Sequence, residues 1–193
     1  MGSALATRLQ LSHQLKVYDL NSAAVQRMVD AGASACARLD ELASHCDIVF
    51  LCLPKSDHVR SALFETHGVV AGAASGLLIV DQTTGDPMAT RSIVRDLASL
   101  GIDMIDAPVN GGISGAKAGT ISIMAGAEEE QFARIEPVLR LISSNVFHAG
   151  TIGAGHVVKL VNNLISGVQR LLTFEGIALA AKKELAQLKR SRF

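Results

Sequence analysis

Short apolar runs alternate along the chain with longer segments in which apolar residues recur at helical spacing. The runs predict strands, and the inner ones are apolar on both faces, as in a parallel sheet that helices cover on both sides. Strands alternating with helices in this way are typical of a doubly wound α/β sheet. The predicted strands cover residues 15–20, 47–53, 77–80, 103–106, 121–124 and 145–148.

Capping residues indicate where several predicted helices begin and end. Asn21 is a candidate N-cap, and Gly32 is a candidate stop for the helix that Asn21 begins. Pro87 stands at the start of another helix, because proline is favoured in the first helical turn. No strand pattern returns after Gly155. The predicted helices cover residues 1–9, 22–30, 87–100, 128–142 and, as one long element, 157–188.

Composition and charge narrow the classes of function. Of the 193 residues, 49% are hydrophobic and 19% are charged, and the formal net charge is +0. A neutral chain lacks the basic surface that attracts nucleic acids and anionic membranes, so a small-molecule partner is favoured over either. The longest apolar run, 68–80, is short for a membrane span and predicts a turn followed by a buried strand.

The cysteines indicate the redox compartment. Cys36, Cys46 and Cys52 show neither metal-ligand spacing nor the framework of a disulfide-rich domain. The beginning of the sequence shows no basic segment followed by an apolar one. We therefore expect a reduced, cytoplasmic compartment and no bound metal.

The segment 153–163 carries the most informative chemistry. Gly153 and Gly155 are expected to loosen the start of a helix. On that helix Lys159 and Asn163 would share a face, because they are four residues apart. One cation and one amide would then meet one substrate. The alternative is a solvated lysine whose stem covers apolar surface.

The first residues suit the end of a dinucleotide-binding loop. There, G-x-G-x-x-G joins a strand to a helix whose N-terminal amides hold the pyrophosphate, and Gly2 would be the last glycine. Met1-Gly2-Ser3 equally suits an ordinary helix start. Asp19 ends the next predicted strand, where an acid accepts from the adenosine ribose, but it also suits a turn beside Asn21.

Five segments of the chain form a specific combination of motifs. They are Met1-Gly2, Leu51-Cys52-Leu53-Pro54, Asp81-Gln82-Thr83-Thr84 with Pro87, 106–112 and 153–163. The pairing of Asp-Ala-Pro-Val-x-Gly-Gly with Gly-x-Gly-x-x-x-Lys-x-x-Asn-Asn is the most specific part. In these segments the chain resembles the β-hydroxyacid dehydrogenase family, which includes 3-hydroxyisobutyrate dehydrogenase and tartronate semialdehyde reductase. The resemblance extends to about residue 181.

The resemblance implies an NAD(P)-dependent oxidoreductase that transfers hydride between nicotinamide and a small 3-hydroxy acid, or its semialdehyde or keto acid. Lys159 corresponds to the catalytic lysine, and its pKa would have to fall toward ~7–8 for efficient proton transfer. Asn163, and with it Asn162, would bind substrate oxygen, although both also suit a helix surface. The substrate carboxylate would lie in a cradle formed by Asn110, Gly111 and Gly112, which equally suit a strand-to-helix turn.

The substrate and the cofactor are both narrowed by departures from the family pattern. Many members carry serine at the position of Asn110, which leaves the preferred acid open. Asn162 stands where 6-phosphogluconate dehydrogenases typically have histidine, so a phosphorylated sugar acid is disfavoured. NAD is favoured over NADP, because an acid at position 19 would repel a 2′-phosphate. The residues that the resemblance assigns to the cofactor are Met1, Gly2, Asp19, Leu53, Pro54 and Thr84.

The resemblance also predicts the domain organisation. Residues 1–152 would form a Rossmann-like nucleotide-binding domain that lacks its first, central strand, and residues 153–193 would begin an all-helical domain, so the chain is expected to be truncated at both ends. The apolar side of the final helix would then pair with a second copy, giving a homodimer or a larger oligomer. The alternatives are a catalytically inactive dinucleotide-binding or interaction module, and a non-functional remnant.

Overall fold

The computed structural model describes residues 1–182, in which strands and helices alternate as predicted. The strands are β1 (Lys16–Val17), β2 (Ser34–Ala35), β3 (Ile48–Leu51), β4 (Leu78–Asp81), β5 (Asp103–Asp106), β6 (Val109–Asn110), β7 (Ser122–Gly126) and β8 (Asn145–Gly150). The helices are α1 (Gly2–Gln10), α2 (Ser22–Asp30), α3 (Leu39–Ala43), α4 (Ser56–Phe64), α5 (Val69–Gly72), α6 (Pro87–Ala98), α7 (Gly112–Ala118), α8 (Glu129–Ile142) and α9 (Ala154–Lys182).

The strands form two sheets. Strands β1 and β2 pair in parallel as a small sheet. The larger sheet has the order β3-β4-β5-β7-β6, and β8 also pairs with β7. The pairs β3–β4, β4–β5 and β7–β8 are parallel, whereas β7 is antiparallel to β5 and β6. This parallel-rich arrangement confirms the predicted Rossmann-like α/β class.

Helices cover the larger sheet on both faces, so its inner strands are buried on both sides. Along β4, Leu78 and Val80 enter one apolar core, while Ile79 enters the other. Helices α1, α7 and α8 contribute to the first core, and α3, α4, α5 and α6 contribute to the second. The continuous apolar runs of the sequence are explained by this two-sided burial.

The two sheets belong to one layer that is interrupted between β1 and β3. Leu15, just before β1, packs in the same core as Ile48 and Phe50 of β3. Tyr18, just after β1, packs in the opposite core with Leu51 of β3. Both strands therefore separate the same two cores without pairing with each other.

Several element predictions need correction. The strand predicted over 15–20 forms a ladder only over Lys16–Val17, and the run 68–80 contains a helix, α5, before β4. The short exposed strand β2 and the antiparallel direction of β7 were missed, because neither produces a distinct apolar pattern. The long predicted helix is α9, which ends at Lys182, and its predicted extension over 183–188 lies outside the described residues.

The chain divides into two compact units, Met1–Lys159 and a second unit that begins at Leu160. In the second unit the apolar side chains of the helix are exposed. Among the described residues, α9 is long and apolar enough to cross a membrane by length and composition, with a mean hydropathy of 1.3 over its most apolar window. The exposed side chains include Leu164, Leu171, Leu172 and Ile177, as the sequence predicts for a helix without a cover.

Replacing Gly155 with alanine is predicted to destabilise the first unit. A Cβ at this position would collide with the Met124 carbonyl of β7 and lie 2.8 Å from the Asp106 carboxylate. We expect a loss of about 1–3 kcal/mol in the free energy of unfolding, because backbone cannot yield cheaply. Thermal and urea unfolding of the variant and the wild type measure this change in the free energy of unfolding. Gly167→Ala is the matched control, since a Cβ there meets nothing within 4 Å and should stabilise the helix. Equal stability of Gly155→Ala and the wild type would contradict this packing.

Candidate active site at the carboxyl edge of the sheet

The parallel strands β3, β4 and β5 end at one edge of the larger sheet, where α/β proteins generally bind ligands. The loops after β3 and β4 are joined, because the Leu53 N–H donates to Thr83 Oγ1 at 3.1 Å. The Thr83 N–H in turn donates to Asp81 Oδ1 at 2.9 Å. Two neighbouring loops are thus fixed relative to each other at this edge.

Lys159 is buried at the same edge. Only 8% of the surface of Lys159 is exposed, and its Nζ donates to Asn110 Oδ1 at 3.0 Å. Burial lowers the pKa of the Lys159 amine from its ordinary value. The structure therefore brings together two residues that the sequence assigns to the site, and the lysine is buried rather than solvated.

Gly111, the N-cap of α7, and Gly112, its first residue, follow Asn110 directly. Gly111 has φ 132° and Gly112 has φ 69°, which L side chains rarely adopt. Both glycines are exposed, so their backbone can be approached by a ligand. These glycines form the strand-to-helix turn, and the backbone of that turn is exposed.

The start of α9 is packed tightly. Gly155 is buried where the helix approaches β7, and a side chain there would collide with the Met124 carbonyl. The expectation that Gly153 and Gly155 loosen the helix start is therefore wrong for Gly155. Its hydrogen atom in place of a Cβ allows helix and strand to approach closely.

A buried polar cluster formed by Asp81, Asp106 and His156 was missed as a unit by sequence reasoning. Asp81 and Asp106 face each other in register on β4 and β5, and the His156 ring approaches both. Burial raises the pKa of both carboxyls, while His156 and hydrogen-bond donors oppose that rise. The signal in the sequence is an acid that directly follows an apolar run, at the last residue of β4 and again at the last residue of β5.

The residues assigned to the cofactor lie at several places. Leu53, Pro54 and Thr84 follow β3 and β4, with Pro54 and Thr84 exposed. Asp19 is exposed after β1, and its Oδ1 accepts from the Asn21 N–H at 2.8 Å, as in the turn alternative. Met1 is the exposed N-cap of α1. Gly2 lies against Cys52, since a Cβ added to Gly2 would be 3.4 Å from the Cβ of Cys52.

Asn162 and Asn163 belong to the second unit, where Asn162 is half-buried and Asn163 is exposed. Within residues 1–182, no group of three or more histidine, cysteine, aspartate or glutamate side chains is arranged to hold a metal ion. The chemistry of the candidate site therefore centres on the lysine and amide of the first unit.

The interrupted parallel-rich sheet with this polar carboxyl edge defines the Rossmann-like class of dinucleotide-binding domains. Residues 1–150 match the family described as the NAD binding domain of 6-phosphogluconate dehydrogenase. The chain belongs to this family, among the β-hydroxyacid dehydrogenases that its motifs resemble.

Two similar proteins cover most of the chain. One is a 2-(hydroxymethyl)glutarate dehydrogenase of Eubacterium barkeri, 39% identical over 94% of the chain and 61% of the relative. The other is a 3-hydroxyisobutyrate dehydrogenase of Pseudomonas aeruginosa, 36% identical over 95% of the chain and 62% of the relative. The chain thus spans less than two thirds of these relatives.

A solved structure has the same fold. The 3-hydroxyisobutyrate dehydrogenase of Mycobacterium tuberculosis with L-serine superposes with a TM-score of 0.89 at 29% identity. The match covers 96% of this chain and 63% of that one.

Lys159 is predicted to titrate below ~10.4, the ordinary lysine pKa, because burial disfavours its charged form. Only the neutral amine reacts with acetic anhydride, so acetylation of Lys159 followed by mass spectrometry across pH gives its midpoint. The same chain unfolded in urea is the control, in which the midpoint should return to ~10.4. A folded midpoint at or above the unfolded one would contradict the burial of the amine.

Proposed function

We propose that the chain forms the nucleotide-binding part and supplies the catalytic lysine of an NAD-dependent oxidoreductase for small 3-hydroxy acids. The observation that carries this proposal is the buried Lys159 amine, 3.0 Å from Asn110 Oδ1 beside an exposed glycine loop. Both relatives are named as dehydrogenases, which supports the proposal of an enzyme over an inactive module or a non-functional remnant.

Lys159 acts in this proposal as the general acid and base. It donates a proton to the substrate oxygen during reduction and withdraws the hydroxyl proton during oxidation. Its lowered pKa supports this role, because a neutral amine must be available as a base. When bound, the cofactor would supply the hydride chemistry, with NAD⁺ as the hydride acceptor in oxidation and NADH as the hydride donor in reduction. Asn110 holds the amine through its amide oxygen, so the proton-transferring nitrogen has a defined position.

The substrate carboxylate is proposed to bind at Gly111 and Gly112. Their exposed backbone admits an anion without a Cβ in the way. The sequence-based prediction that Asn162 and Asn163 bind substrate oxygen is kept as part of this proposal. The relatives named for 2-(hydroxymethyl)glutarate and 3-hydroxyisobutyrate support a hydroxylated carboxylic acid as the substrate class.

The proposed cofactor is NAD rather than NADP. Asp19 is exposed, and one of its carboxylate oxygens accepts from Asn21, so the anion is fixed in place. A fixed anion accepts hydrogen bonds from ribose hydroxyls and repels a 2′-phosphate. The other residues proposed to contact NAD are Met1, Gly2, Leu53, Pro54 and Thr84.

We also propose a homodimer that forms through the second unit in the cytoplasm, with no nucleic-acid or membrane partner. Apolar side chains along the helix are exposed, with Leu164 at 67% and Leu171 at 66%. Such a surface favours burial against a second copy. Sedimentation equilibrium is expected to give twice the chain mass for the wild type and a single chain for Leu164→Glu/Leu171→Glu. A wild-type monomer, or a double variant that still pairs, would contradict this interface.

Lys159→Met is predicted to reduce turnover by about 10²–10⁴-fold, because the proton donor is removed. The assay follows NADH formation by the full chain with 3-hydroxyisobutyrate or L-serine as the substrate. Lys117→Met, at an exposed lysine of α7, is the matched control and should keep wild-type turnover. The proposal fails if the wild type does not turn over either acid or if Lys159→Met remains fully active.

A further inference from the structure

Asp106 ends β5 and holds the first turn of α9 with both carboxylate oxygens. Oδ1 accepts from the Gly153 N–H at 2.6 Å, and Oδ2 accepts from the His156 N–H at 2.7 Å. Asp106 is fully buried, at 0% exposure. A buried carboxylate needs such donors, because an unpaired one is very costly. The strand and the helix are therefore joined by two charge-assisted hydrogen bonds.

Two glycines leave the space that this carboxylate occupies. A Cβ on Gly126 would collide with Asp106 Oδ1, and one on Gly155 would lie 2.8 Å from Oδ2. The carboxylate thus lies between the backbone of β7 and the backbone of α9. Together with the two hydrogen bonds to Gly153 and His156, these close backbone neighbours tie the position of the helix start to the strand.

The His156 ring provides a second attachment to the sheet. The ring is fully buried, and its Nε2 donates to the Thr83 carbonyl at 3.0 Å. Its Nδ1 lies 3.0 Å from Thr90 Oγ1 on α6. The ring nitrogens are also 3.9 Å from the nearest oxygens of Asp81 and Asp106. The first turn of α9 is consequently held by the loop after β4, by β5 and by α6 together.

Both partners of the candidate site are a short distance along the chain from this anchor. Asn110 follows Asp106 by four residues, and the intervening residues, including Pro108, are buried. Lys159 follows His156 by three residues on α9. A shift of Asp106 would move the amine and its acceptor relative to each other.

We propose that Asp106 is a positioning residue for Lys159, and that its two hydrogen bonds to the start of α9 hold the amine in its buried place against Asn110. The importance of this role for catalysis rests on the proposed function. The role itself is a property of the chain without cofactor or substrate, and it is tested in that state. A failure of the turnover assay therefore leaves this test unaffected.

The test is the acetylation of Lys159 across pH in Asp106→Asn. An asparagine offers one acceptor oxygen to two N–H donors, so one bond to α9 is lost. If Asp106 positions the helix, the amine becomes less buried, its midpoint rises, and its acetylation rate at pH 8 falls about threefold for a rise of ~0.5 in pKa. A purely electrostatic role gives the opposite sign, because loss of an anion favours the neutral amine and raises the rate.

Two further variants keep the test decisive. Asp103→Asn makes the same change on the same strand at a half-buried acid and should leave the Lys159 midpoint unchanged. Thr90→Val removes the hydroxyl beside the His156 ring at similar volume, and it should move the midpoint in the same direction by less. It replaces Asp106→Asn if that variant does not fold. A lower melting temperature with an unchanged midpoint, or a raised rate at pH 8, overturns the proposal.

Discussion

The candidate site depends on the pair of hydrogen bonds between the Asp106 carboxylate and the start of α9. The carboxylate is buried at the carboxyl edge of the sheet, and the N–H groups of Gly153 and His156 compensate its removal from water. Because a carboxylate has two fixed oxygens, it determines both the position and the direction of the first turn of α9. The Lys159 amine is carried on the next turn of that helix.

A continuous series of hydrogen bonds connects this anchor with the rest of the edge. Leu53, after β3, donates to the Thr83 side chain, and the Thr83 carbonyl accepts from the His156 ring. The loops after β3 and β4, which hold residues proposed to contact NAD, are thus linked to the helix that carries Lys159. Preorganisation of this kind is valuable in an active site, because the acid or base is positioned before substrate arrives.

The sequence predicted much of this arrangement because its strongest signals are local. Apolar runs predicted the inner strands, and the motifs around Asn110 and Lys159 predicted two residues that the structure brings into contact. The direction of β7 and the pairing of Asp81 with Asp106 were not predictable in the same way. Both depend on which strands become neighbours. The hydrophobic periodicity of a single sequence indicates the type of each element but not its pairing partner. Gly155 was predicted to loosen the chain, because the sequence alone does not show its close approach to Met124 in the folded structure.

Calorimetric titration of the chain with NADH, and then with NADPH under the same conditions, tests the central claim most directly. Saturable binding of NADH that is tighter than that of NADPH is expected, because Asp19 is proposed to accept from ribose hydroxyls and to repel a 2′-phosphate. Absence of NADH binding by a chain that is folded by circular dichroism would contradict the central claim. Tighter binding of NADPH would contradict the role of Asp19.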